Sequence, residues 1–149
     1  MPDLKRTTSD DSDFQSLVIL LDQDLKIGDG DEYSFFAQFN KLDNIRNTVI
    51  YYSDKNPVGC GAFKKYDSQT VEIKRMFVKK EFRRKGIAEK ILKELEVWAK
   101  ESGFSACVLE TGKKQPEAIK LYQKSAYEII PNYGQYKNVE NSVCMRKVI

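Results

Sequence analysis

VEIKRMFVKKEFRRKGIAEKILKELEVWAKES, residues Val71 to Ser102, decides the fold. Val71, Ile73, Met76, Phe77 and Val78 form a β-branched and aromatic run that suits a pleated sheet. From Ala88 the apolar residues fall at Ala88, Ile91, Leu92, Leu95, Trp98 and Ala99, the spacing of one buried helical face. Glu89, Lys90, Lys93, Glu94, Glu96 and Lys100 take the opposite, solvated face. Between strand and helix lies the turn Arg83-Arg84-Lys85-Gly86-Ile87-Ala88. A turn feeding a helix N-terminus aims unpaired backbone N–H groups at one point, which the helix dipole makes positive. Gly86 keeps no side chain between that point and a ligand, Ala88 is small, and the three cations add charge. The stretch reads as a pyrophosphate site.

Working outward, Leu4 to Thr8 is a first strand, and Ser9 to Asp13 offers several N-caps for a helix carrying Phe14, Leu17, Val18, Leu20, Leu21 and Leu25. That helix ends near Gly28-Asp29-Gly30, and Tyr33 to Leu42 reads as a second, shorter one. Strands over Thr48–Tyr52, Val58–Phe63 and Thr70–Val78, joined by short turns, make an antiparallel meander. Gly59 and Gly61 inside the second strand imply a close approach by backbone or ligand, a bulge, or tight packing. Gly103 caps the long helix as its C′ residue. Ser105–Glu110 is an apolar strand suited to parallel pairing, and Thr111–Lys114 a turn. Pro116 opens a helix striped by Ala118, Ile119, Leu121 and Tyr122. Tyr127–Ile130 and Ser142–Val148 are the last strands. The order is β-α-α-β-β-β-α-β-α-β-β, an α/β (α+β) domain spanning residues 1–149.

Composition narrows the chemistry. With 41% hydrophobic and 32% charged residues the chain is an ordinary soluble globular one. A net charge of +3 does not argue for nucleic acid. No run approaches the roughly 18 apolar residues of a membrane span, and the N-terminus shows no secretory signal. Three scattered cysteines, Cys60, Cys107 and Cys144, suit reduced thiols in a cytoplasm. The absence of histidine excludes Ser-His-Asp and Cys-His catalysis, and no metal set is expected.

Two motifs carry a resemblance. Arg83-x-x-Gly86-x-Ala88 is similar to the (Gln/Arg)-x-x-Gly-x-(Gly/Ala) signature of the GNAT superfamily of N-acetyltransferases, which binds the pyrophosphate of acetyl-coenzyme A. Gln115-x-x-Ala118-x-x-Leu121-Tyr122-x-x-x-Ala126-Tyr127 resembles that family's Asn-x-x-Ala-x-x-Leu-Tyr-x-x-x-Gly-(Phe/Tyr). Gln115 stands where Asn is usual, and Ala126 where Gly is usual, which puts the turn geometry in question. The match covers Thr48 to the C-terminus; the first third fits by element order. Leu109-Glu110-Thr111-Gly112-x-x-Gln115-Pro116-Glu117-Ala118-Ile119-x-Leu121-Tyr122 narrows the resemblance to small stand-alone bacterial members.

The resemblance implies a mixed, mostly antiparallel sheet that splays open at the cofactor. It implies cofactor contacts from the main chain of Met76, Phe77 and Val78, with a bulge leaving an N–H free, and from Arg83, Arg84, Lys85, Gly86, Ile87, Ala88, Gln115, Ala118 and Tyr122. It makes Tyr122 the general acid at the departing thiolate. Glu72 matches the register of a catalytic glutamate in some members and competes with Glu110 and water for the role of base. Alternation puts Glu72, Lys74 and Met76 on one face unless a bulge intervenes. A surface glutamate paired with Lys74 or Arg75 is the plainer reading of Glu72. Tyr33, Phe35 and Phe36, over the acceptor, and Tyr133 and Tyr136, in a loop overhanging it, are substrate contacts or ordinary packing. Cys144 reads as a buried, inert thiol.

The expected reaction is acetyl transfer from acetyl-CoA to the primary amine of a small molecule or amino-acid-like acceptor. Acetylation of a protein lysine or N-terminus and a non-catalytic acyl-CoA-binding module are the alternatives. No nucleic acid or membrane partner is expected, and the resemblance allows a homodimer.

Overall fold

The computed structural model describes residues 3–29 and 45–149. The helix expected over Tyr33–Leu42, with Tyr33, Phe35 and Phe36, lies outside them. In chain order the elements are β1 (Leu4–Thr7), α1 (Ser12–Asp29), β2 (Asn47–Ser53), β3 (Asn56–Lys65) and β4 (Thr70–Val78). They continue with α2 (Ile87–Glu101), β5 (Ala106–Gly112), α3 (Pro116–Lys124), β6 (Glu128–Ile130) and β7 (Ser142–Val148). The strands form one seven-stranded sheet in the order β1-β2-β3-β4-β5-β7-β6. Every neighbouring pair is antiparallel except β4 and β5, which run parallel.

Local chemistry accounts for these elements. Asp11 Oδ1 accepts the N–H groups of Asp13 and Phe14 at 2.9 and 3.3 Å and so starts α1. Asp54 and Lys55, with φ of 49° and 69°, close β2 onto β3 in the geometry of a tight hairpin. Gly103, at φ 96°, ends α2. Its N–H bonds Lys100 O while the Phe104 N–H reaches Ala99 O, the double closure of a Schellman turn. β5 runs to Gly112, further than its apolar residues suggested. Thr111 and Gly112 are not a turn, because Val143 and Ser142 of β7 supply ladder partners.

A core lies on each face of the sheet. Phe14, Leu17, Val18 and Leu21 of α1 pack on Ile50, Cys60, Ala62 and Phe77. Ile91, Leu92, Leu95 and Ala99 of α2, with Tyr122 of α3, pack on Val49, Val58, Val71, Ile73 and Leu109. A Cβ on Gly61 would stand 2.5 Å from Met76 Sδ and 2.9 Å from Ile91 and Leu95, and one on Gly59 would stand 2.9 Å from Ile91. Both glycines therefore answer to the packing of α2. Glu96, expected on the solvated face, is 4% exposed. It accepts the Tyr127 hydroxyl and Lys147 Nζ, each at 2.9 Å, partners delivered by later elements. No helix among the described residues is long and apolar enough to cross a membrane.

Two irregularities in β4 create the site. β4 and β5 pair only at Thr70–Ala106, Val71–Cys107 and Glu72–Val108. Beyond Glu72, β4 stays with β3 and β5 continues with β7, so the sheet opens into a gap. The second is a bulge: Lys74 opposes Ala62 and Phe77 opposes Cys60, while Arg75 takes φ 60°. The alternation reverses there. Glu72 and Lys74 face the α1 side, and Met76 turns to Ile91 and Leu95 on the other.

Candidate active site

The gap between the ends of β4 and β5 is a cavity of about 830 Å³. It is walled by the C-terminal half of β4, the end of β5, the α2 N-terminus, α3, the end of α1 and Tyr136. At one end α2 begins at Gly86, whose φ of 78° is left-handed and whose position no side chain caps. The first N–H groups of α2 thus open on the cavity. A Cβ on Gly86 would meet nothing within 4 Å, so that approach is unobstructed by the protein.

Arg83, Arg84, Gly86, Ile87 and Ala88 all line the cavity. Lys85 does not; its Nζ sits 5.5 Å from the centre of the Phe82 ring. The Arg83 guanidinium is committed to the protein. Its Nε donates to Val78 O at 2.8 Å, and its Nη2 meets Asp24 of α1 at 2.6 Å. Arg83 fastens the turn to β4 and α1. Lys80 also borders the cavity.

α3 supplies the facing wall. Pro116 is its first residue and Gln115 its N-cap, making no side-chain capping bond. Gln115 Nε2 is buried without a hydrogen-bond partner among the described residues. Ala118 and Tyr122 line the cavity on the same side. Tyr122 is 7% exposed and packs edge-on against Tyr127 at 5.8 Å. Burial first, and the Glu110 charge second, push its hydroxyl above the ordinary range, so it stays protonated. The turn after α3 is formed although Gly is replaced: Ala126 takes φ 74° itself.

The other end carries the carboxylates. Glu110 lines the cavity and accepts the Ser142 hydroxyl at 2.8 Å. Glu72 is no surface residue, being 3% exposed. Its Oε2 accepts the Tyr133 hydroxyl at 2.6 Å, and its Oε1 lies 3.9 Å from both Lys74 Nζ and Lys64 Nζ. Tyr133 therefore reaches the site through Glu72, not as a wall of the cavity. Tyr136, 2% exposed, does line it and meets Tyr133 edge-on at 5.9 Å. Cys144 is fully buried, and burial pushes its thiol up to about 11, as suits an inert residue.

Among the cavity residues absent from the expected contacts are two cations of β4. Lys74 and Arg75 line the same end, with side chains 7% and 4% exposed. The break in alternation that the resemblance implied was the signal that could have found them, because a bulge brings successive residues to one side.

Residues 14–127 match the model of the Acetyltransferase (GNAT) family. A sheet split between two parallel strands, with a helix N-terminus at the split, defines a class of acyl-CoA-handling fold. The chain belongs to the GNAT acetyltransferase family. It is 30% identical over 149 residues to an IAA acetyltransferase of Azospirillum brasilense, covering 95% of this chain and 96% of that protein. Two further curated N-acetyltransferase relatives match over shorter stretches, and the chain spans 40% and 60% of their length. Among solved structures, an acyl-CoA N-acyltransferase candidate of Klebsiella pneumoniae is 25% identical with a TM-score of 0.81, over 97% of this chain and 95% of that one. A GNAT acetyltransferase of Elizabethkingia anophelis, crystallised with acetyl-CoA, shares the fold at 19% identity and a TM-score of 0.70, over 98% and 97% of the chains.

Proposed function

We propose that this cleft binds acetyl-CoA and moves its acetyl group to the primary amine of a small or amino-acid-like acceptor. The observation that carries the reading is the parting of β4 from β5 after Glu72. It leaves one edge of β4 without a neighbouring strand among the described residues, and an extended ligand arm adds there as a strand would. The residues present fit the group. The uncapped N-terminus of α2 suits a pyrophosphate, and the orphaned Gln115 Nε2 suits an amide or phosphate acceptor. Met76, Phe77 and Val78 would lie along the arm, and Ala118 leaves it room.

Acetyl-CoA supplies a thioester carbonyl that an amine attacks and a thiolate that departs. The chain's own groups manage protons and charge. Tyr122, kept protonated by burial, is placed to give its proton to the leaving sulfur. Glu110 lines the same cavity as Tyr122, and its charge adds to the rise at that hydroxyl, which supports a role near it. We assign it as the base that takes the amine proton, directly or through water. Glu72 already accepts the Tyr133 hydroxyl and faces two lysines, so we assign it to organising the acceptor end instead. A backbone N–H at the Arg75–Met76 bulge serves as oxyanion donor.

The test is release of the free coenzyme A thiol from acetyl-CoA with a panel of primary amines, repeated with Glu110→Gln and Glu72→Gln. Amine-dependent release that falls further with Glu110→Gln supports the assignment. A larger loss with Glu72→Gln would exchange the two roles, and no release with any amine would refute the acceptor class.

A further inference from the structure

The acceptor end of the cleft holds two cations that acetyl transfer to an amine does not require. An amine acceptor must lose a proton before it attacks, and neighbouring positive charge does not help it bind. Yet β4 places Lys74 and Arg75 there in succession, and both line the cavity. Residues adjacent in a strand ordinarily face opposite ways. Here the bulge brings both to the α1 side: Lys74 opposes Ala62 of the α1 core, and Arg75 reaches Asp22 of α1 at 2.7 Å. The arrangement uses a non-glycine residue at φ 60°, a strained backbone of the sort that persists at functional sites.

The compensation of Arg75 is incomplete. A buried cation needs paired charge and hydrogen bonds. Arg75 gives Nη1 to Asp22, while its Nε is buried with no hydrogen-bond partner among the described residues. Beside Lys74, Glu72 Oε1 is 3.9 Å from Lys74 Nζ and 3.9 Å from Lys64 Nζ, and Oε2 accepts the Tyr133 hydroxyl. Desolvation lowers the affinity of Lys74 for its proton in spite of Glu72 and Glu110. A compact anion entering this end would meet both side chains and give Arg75 Nε an acceptor.

We propose that Lys74 and Arg75 recognise an anionic group on the acceptor, so that the amines used by this cleft also carry a carboxylate or similar compact oxyanion. The inference rests on the reading that the cleft acetylates small amines. It places the acceptor's anion at the bulge and its amine toward Glu110 and Tyr122.

Matched pairs test it. Coenzyme A release would be followed with L-amino acids against their decarboxylated amines, and with O-phosphoethanolamine against ethanolamine, at fixed ionic strength. Lys74→Met and Arg75→Gln would be run alongside. Because either variant could fold poorly, thermal stabilisation of the wild-type, coenzyme A-loaded protein by N-acetyl amino acids is a second readout. The expected result is a preference of about tenfold or more for the anionic member of a pair, collapsing toward unity in both variants. Preference for the amino acids identifies a carboxylate, and preference for O-phosphoethanolamine identifies a phosphate. Equal or better use of the neutral amines by the wild type would overturn the inference while leaving acetyl transfer intact. An undiminished preference in folded variants would overturn it too. Stabilisation by N-acetyl amino acids without turnover of any amine would keep the anion site and remove the small-amine reading. Neither stabilisation nor turnover would remove both.

Discussion

At its α2 end the cleft is made of main chain; at its Glu72 end it is made of side chains. The first end consists of the N–H groups that open α2, a left-handed Gly86 and the unpartnered edge of β4. The second consists of Glu72, Lys74, Arg75, Glu110 and Tyr136, held by Tyr133, Ser142 and Asp22. A backbone site binds what any chain of this shape would bind, a phosphate and an extended arm. A side-chain site can be rewritten without touching the fold, and we assign the choice of acceptor to it.

The sharpest way to break the comparison is to put a side chain into the main-chain end. Gly86→Glu adds a carboxylate to an open position at φ 78° and should cut acetyl-CoA affinity by about 100-fold or more, read by calorimetry. Unchanged affinity would mean that the phosphates lie elsewhere. Tyr122→Phe removes a proton donor but no wall, so turnover should fall on the order of 100-fold with acetyl-CoA affinity little changed. An equal loss in both would make Tyr122 part of the binding surface and blur the division. Asp11→Ala lies away from both ends. It should cost about 1 kcal/mol of stability near neutral pH without altering acetyl-CoA affinity, because Asp11 caps α1. Burial opposes the Asp11 charge, but Lys5, Thr7 and the backbone N–H groups of Phe14 and Asp13 hold its carboxyl below its ordinary 3.8. Its contribution is therefore full above pH 3.8 and lost as pH falls through the lower folded value, so chemical denaturation of the two proteins should converge in that window. The smallest effect is expected from Ala126→Gly. It relieves a left-handed alanine at φ 74° and should gain about 0.5–1 kcal/mol with activity unchanged.

What could be read from the chain follows the same division. The glycine turn that opens α2, the amphipathic face of α2, the Gly103 cap and Pro116 at the head of α3 are local features, set by residues within a turn or two of each other. The parallel pairing of β5 was legible because its residues are apolar on both faces. The features that escaped depend on residues far apart. Tyr133 meets Glu72 across 61 positions. Glu96 lay on the polar side of the α2 pattern, and nothing local announced Tyr127 and Lys147 as its partners. Thr111 and Gly112 looked like a turn because the partners that keep them extended come from β7. The bulge decided the rest: without its position, alternation put Met76 beside Lys74 and left Arg75 out of the site.

The central claim is that the parted strands hold acetyl-CoA, and thermal unfolding tests it most directly. With ligand at 100 times its dissociation constant, acetyl-CoA should stabilise the protein by about 2.7 kcal/mol, several degrees for a chain of this size. Adenosine diphosphate and free acetate should do much less. No shift with millimolar acetyl-CoA, or an equal shift with adenosine diphosphate, would contradict the account.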